Sequence, residues 1–106
     1  MSSNTIIEQS QDTGFNDREF NTEMLKQNFR RLQHASTTDQ KREIYEEIAH
    51  IFHRIEQWNL ALKYYRKIYD IFDLQRKDEE KVSVLYIIEL IQHQRDGHPF
   101  GLETSV

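Results

Sequence analysis

Residues 48–68 read "IAHIFHRIEQWNLALKYYRKI", and this stretch constrains the chain more than any other. Apolar residues recur at spacings of three and four on both sides of a short polar hinge, which is the period of an amphipathic helix and not of a strand. Before the hinge the stripe is Ile44, Tyr45, Ile48, Ala49, Phe52 and Ile55; after it, Leu60, Ala61, Tyr64, Tyr65, Ile68, Ile71 and Phe72. Each stripe carries an alanine where a bulkier side chain would be the ordinary choice. Two helices with small residues at matching places can bring their axes close, with aromatic side chains filling the space on either side.

The rest of the chain extends this pattern. Residues 1–15, "MSSNTIIEQSQDTGF", show no helical period and are expected to form a disordered arm, with Ile6 and Ile7 its only apolar pair. A first helix is expected from Asn16 or Asp17, where Asn16 and Glu19 have capping-box spacing; Phe20, Met24, Leu25, Phe29 and Leu32 would share its inner face. "HASTTDQ" interrupts the period, and Thr37 with Gln40 forms a second capping box ahead of a helix over about 38–55. The charged break "DLQRKDEE" follows the third stripe, with Asp78 placed to cap a fourth helix and Glu79 and Glu80 in its first turn. "KVSVLYIIELIQHQ" is rich in β-branched residues, yet it is long for a strand and has no second strand to pair with, so a helix is expected. Gly97 and Pro99 end it, leaving a flexible tail over 98–106. The expected fold is all-α, about four helices in antiparallel hairpins, with one helical domain over 16–97.

Composition narrows the function. Of 106 residues, 30% are charged and the net charge is −4, without the basic footprint that nucleic acid requires. There is no cysteine, which removes thiolate metal sites and thiol nucleophiles. No apolar run is long enough to span a bilayer, and the amino terminus lacks the pattern of a secretory signal; a cytoplasmic protein is expected. No serine stands in a strand–turn–helix context, the three glycines form no phosphate loop, and neighbouring acids such as Glu46–Glu47 point to different helix faces. Neither catalysis nor a cofactor is expected.

The central hairpin resembles a tetratricopeptide repeat. Tyr45, Ile48, Ala49 and Phe52 occupy the positions that family gives to a bulky residue, a large–small pair and an aromatic on its first helix. Trp58, Ala61, Tyr65 and Ile68 occupy the hinge and second-helix positions; Ile68 departs from the usual alanine. A partial second copy is read in Val84, Ile87, Ile88 and Ile91, offset by 39 residues. That is longer than the usual period of about 34 and similar to the kinesin-light-chain-like branch. The resemblance implies a protein-binding adaptor or chaperone-like module. Its ligand-facing positions would be Glu43, Glu46, His50, His53 and Arg54, and in the second copy Val82, Leu85, Glu89, Gln92 and His93.

Three features bear on binding. Val82, Val84, Leu85, Tyr86, Ile87, Ile88, Leu90 and Ile91 surround the fourth helix with apolar side chains, so a second copy of the chain or another protein is expected to cover it. Its central place in a compact four-helix bundle is the alternative. His50 and His53, one turn from Glu46, open the alternative of a pH- or metal-responsive domain, although the two-histidine spacing of zinc proteases is absent and no metal is assigned. The last four residues, Glu103, Thr104, Ser105 and Val106, resemble a class I PDZ ligand, in which Thr104 supplies the hydroxyl and Val106 the apolar terminus.

Overall fold

The computed structural model describes residues 13–97, with side chains from Asp17 onward. Four helices run in order: α1 (Thr13–His34), α2 (Thr38–Arg54), α3 (Trp58–Leu74) and α4 (Asp78–Asp96). The fold is all-α, and no strand occurs among the described residues. Close packing joins each helix to the next in sequence, α1 to α2, α2 to α3 and α3 to α4, with α2–α3 the most extensive junction. Short connections between neighbours make the hairpins antiparallel. The stack leaves α4 at one end, which favours an open arrangement over the compact bundle.

Local signals account for most boundaries. Thr37 caps α2: its hydroxyl accepts from the Gln40 backbone N–H at 3.1 Å, and the Gln40 side chain accepts from the Thr37 N–H, the expected capping box. Gly97 ends α4 in the left-handed region at φ 79°, where a residue without Cβ costs least. Two expected starts are corrected. α1 begins at Thr13, so residues 13–15 are helical and Asn16 falls inside the helix rather than capping it. Gly14 there weakens a helix without forbidding it. The cap of α4 is Lys77, which makes no side-chain cap bond; Asp78 is the first helical residue and joins Glu79 and Glu80 in facing the positive end of the helix dipole.

The turns between α2 and α3 and between α3 and α4 are the same turn. Ile55, Glu56 and Gln57 donate to Ile51, His53 and Phe52 at 3.1, 3.0 and 2.8 Å. Gln75, Arg76 and Lys77 donate to Ile71, Asp73 and Phe72 at 3.0, 3.1 and 2.9 Å. The middle residue is left-handed in both, Glu56 at φ 63° and Arg76 at φ 58°. Both turns therefore satisfy the last carbonyls of one helix and start the next at a fixed register. The three helices begin at residues 38, 58 and 78, so α4 repeats α2 forty residues later.

This register corrects the sequence alignment by one residue. Val84, Ile88 and Ile91 are the buried residues of α4, and they stand where Ile44, Ile48 and Ile51 stand in α2. The alignment had placed Val84, Ile88 and Ile91 opposite Tyr45, Ala49 and Phe52. Adjacent apolar pairs in α4 (Ile87–Ile88, Leu90–Ile91) let both registers fit the sequence; the repeated turn selects one.

The core comprises Ile44, Ile48, Ala49 and Phe52 of α2, Ala61, Leu62, Tyr65, Ile68 and Phe72 of α3, and Val84, Ile88 and Ile91 of α4. Ala49 and Ala61 are both fully buried, consistent with close approach of α2 and α3. The inner stripe of α1 differs from the expected one. Asn21 and Asn28 are buried, with Leu25 and Leu32 packed against the core between them. Phe20, expected inside, is 59% exposed. Arg54 Nη2 of α2 donates to Asn21 Oδ1 at 2.8 Å and so holds that face of α1 inward; within α1, Arg31 Nη1 donates to Asn28 Oδ1 at 2.7 Å, while the buried Asn28 Nδ2 has no hydrogen-bond partner among the described residues.

Candidate functional site

The sequence-derived surface residues divide between α2 and α4, which meet through His53 and Gln94. On α2, Glu43 is exposed and Glu46 receives a 2.9 Å ion pair from Arg42 one turn earlier. His50 is exposed, and its ring lies 5.9 Å from that of buried Tyr65. His53 is half-buried; its Nε2 stands 2.9 Å from Gln94 Oε1 of α4, and its ring meets Trp58 edge-on at 5.8 Å. Arg54 is turned toward α1 by its bond to Asn21. The two histidines thus serve different neighbours and do not converge. Among the described residues, no group of three His, Cys, Asp or Glu side chains comes together to hold a metal ion.

Tyr65 shows the electrostatic character of this region. Burial, and secondarily the Glu46 carboxylate, push its phenol up to about 12, since both disfavour the phenolate. The Tyr64 phenol is also raised, by burial and then by Tyr45. Tyr64 is the centre of an aromatic cluster: Phe52 stacks on it at 5.9 Å, Tyr45 at 5.9 Å and Phe29 at 6.3 Å lie tilted against it. Lys63 lies over Tyr64 and Lys67 over Tyr45, each at 5.7 Å. Both phenols remain neutral across the physiological range, so these rings pack rather than titrate.

The fourth helix carries the exposed apolar residues of the predicted set. Its inner face presses Val84, Ile88 and Ile91 onto α3. Its outer face leaves Val82, Leu85 and Tyr86 at 63%, 40% and 54% exposure, with Glu89 exposed beside them and Leu90 half-buried. Residues 82, 85, 86 and 89 lie at helical spacing and form one stripe. In the forty-residue register, Leu85, Glu89 and Gln92 occupy the places of Tyr45, Ala49 and Phe52, the side of α2 that faces α3. The ends of α4 are fixed: Lys81 Nζ binds Asp73 at 2.9 Å, which raises the lysine, and Arg95 donates to Asn59 of α3 at 3.1 Å.

Sequence reasoning missed a groove between the first half of α1 and the end of α2. Phe20, Asn21, Leu25, Arg54 and Ile55 line an open cleft of about 790 Å³, and a smaller one of about 360 Å³ lies beside Phe20, Met24, His50 and Ile51. The signal that could have found it is Asn21, a polar residue at helical spacing from Leu25 on the apolar side of α1. Glu103, Thr104, Ser105 and Val106 lie outside the described residues, as do Ile6 and Ile7. No helix among the described residues is long and apolar enough to cross a membrane.

No family model, curated protein or solved structure matches this chain.

Proposed function

We propose that the chain is a non-enzymatic protein–protein interaction module of tetratricopeptide-like architecture, acting as an adaptor or chaperone-like protein through the outer face of α4. One observation carries this reading: Val82, Leu85 and Tyr86 stand exposed in a single stripe, while the opposite face of the same helix is buried on α3. Exposed apolar residues scattered singly are ordinary, but a contiguous set at helical spacing marks a contact surface. The register adds to it, because the equivalent side of α2 is where the next helix docks. Equal hairpins joined by one repeated turn, with Ala49 and Ala61 buried between α2 and α3, support the repeat-like architecture.

Site-specific photo-crosslinking tests this. A benzoylphenylalanine at position 85 is expected to form covalent protein adducts in an extract of the source cells, at least about fivefold above the same label at Arg66, an exposed position on α3. Equal labelling at the two positions would overturn the assignment of the surface to α4.

A further inference from the structure

We propose that the occupant of the outer face of α4 is a basic amphipathic helix of a partner protein, docked antiparallel to α4 as α3 docks on α2. This rests on the reading of that face as a contact surface and adds the partner's shape, charge and direction. The chain contains its own template for the contact. In the forty-residue register Val82, Leu85, Tyr86, Glu89 and Gln92 stand where Arg42, Tyr45, Glu46, Ala49 and Phe52 stand in α2. Those α2 positions turn toward α3. Arg42 lies over the Phe72 ring at 5.4 Å, and Tyr45 and Phe52 each lie 5.9 Å from the Tyr64 ring. Ala49 shares the core with Ala61, and the Glu46 carboxylate acts on the Tyr65 phenol. In α4 the matching Val82, Leu85, Tyr86 and Glu89 are exposed. Side chains at one helical spacing form the same ridges and grooves, so the shape that fits this face is a helix.

The partner's charge follows from what replaces the α2 residues. Glu89 takes the place of fully buried Ala49, so a helix docked here covers a carboxylate in the middle of its contact. A carboxylate taken out of water is strongly unfavourable unless a cation stands opposite it, which calls for lysine or arginine on the partner. Glu79 takes the place of Asp39, whose Oδ1 accepts from Gln75 Nε2 at the end of α3 at 3.3 Å. The lysine and arginine of α4 do not answer these acids. Lys81 is bound to Asp73 of α3, and Arg95 to Asn59 of α3 and to Asp96. His93 stands at the far end of the face, in the place of His53. Antiparallel docking sets the partner's last turn beside Asp78, Glu79 and Glu80, and the last turn is where a helix dipole already favours lysine and arginine.

Fluorescence anisotropy of the full chain against labelled 17-residue peptides, the length of α3, tests this. One peptide carries leucine and lysine at helical spacing, a second has glutamate for lysine, and a third has the leucine–lysine composition scrambled out of period. The periodic lysine peptide is expected to bind at least about tenfold tighter than either of the others. Glu79→Lys combined with Glu89→Lys should weaken it at least about tenfold. Glu19→Lys combined with Glu23→Lys, an equal change of net charge at exposed positions of α1, should weaken it less than about threefold. Equal losses in the two double variants would overturn the site, because net charge alone would then attract the peptide. Equal binding of the glutamate peptide would overturn the basic partner, and equal binding of the scrambled peptide would overturn the helix. In each of these cases photo-adducts at position 85 would still support the contact surface, and their absence would remove that reading as well.

Discussion

Ile91→Ala is expected to destabilise the folded chain by about 2–5 kcal/mol, the range for truncating a large side chain in a core that cannot collapse around the gap. Ile91 is fully buried on the α3 side of α4 and belongs to the same cluster as Val84 and Ile88. Among the described residues α4 packs closely on α3, so few other contacts make up for the loss. Small domains have about 5–15 kcal/mol in total, and a deficit of this size removes a large part of it. Leu85→Ala, on the opposite face, is expected to shift stability by less than about 0.5 kcal/mol at concentrations where single chains prevail. Urea titrations followed by helical circular dichroism compare the two. Equal midpoint shifts would mean that the two faces of α4 are not distinguished as described.

The second large effect lies at the α2–α3 junction. Ala49→Leu is expected to cost about 1–3 kcal/mol, since added methylenes in a filled core force side chains off their rotamers and helices apart. Ala49 has no exposed surface and shares the core with Ala61 and Tyr65. Glu47→Leu is the comparison. Glu47 is about half exposed and pairs with Arg31 at 2.9 Å, so its replacement removes a surface ion pair worth about 0.2–1 kcal/mol. Thermal melts should show a clearly larger fall for Ala49→Leu. A larger fall for Glu47→Leu would place the close approach of α2 and α3 elsewhere.

The parts of the fold that were legible in the sequence are those written in local chemistry. Thr37 with Gln40 and the helix-ending Gly97 act through neighbours a few residues away, and the apolar stripes of α2 and α3 were legible in part: Ile55 and Leu60, expected inside, are exposed, and Ile51 and Leu62 are buried instead. The parts that were not legible depend on distant partners. Asn21 looks like a surface residue until Arg54 of α2 is seen to bond it, and counting apolar residues alone turned α1 toward Phe20. Glu56 and Arg76 adopt left-handed backbone without the glycine or asparagine that usually announces it, because the turn bonds around them fix the geometry. His53 looked like half of a ligand pair, and only the adjacency of α2 and α4 shows Gln94 beside it. The α4 stripe was legible as an excess of apolar residues; which of them lie inside required the register set by the repeated turn.

The proposal that the outer face of α4 is a contact surface, and not part of the chain's own core, is tested most directly by the melting midpoint of Leu85→Glu against wild type. Leu85 is already 40% exposed, so a glutamate there should leave the midpoint within a few degrees. A midpoint lowered by about 10 °C or more would contradict it and place Leu85 inside the core of the folded chain.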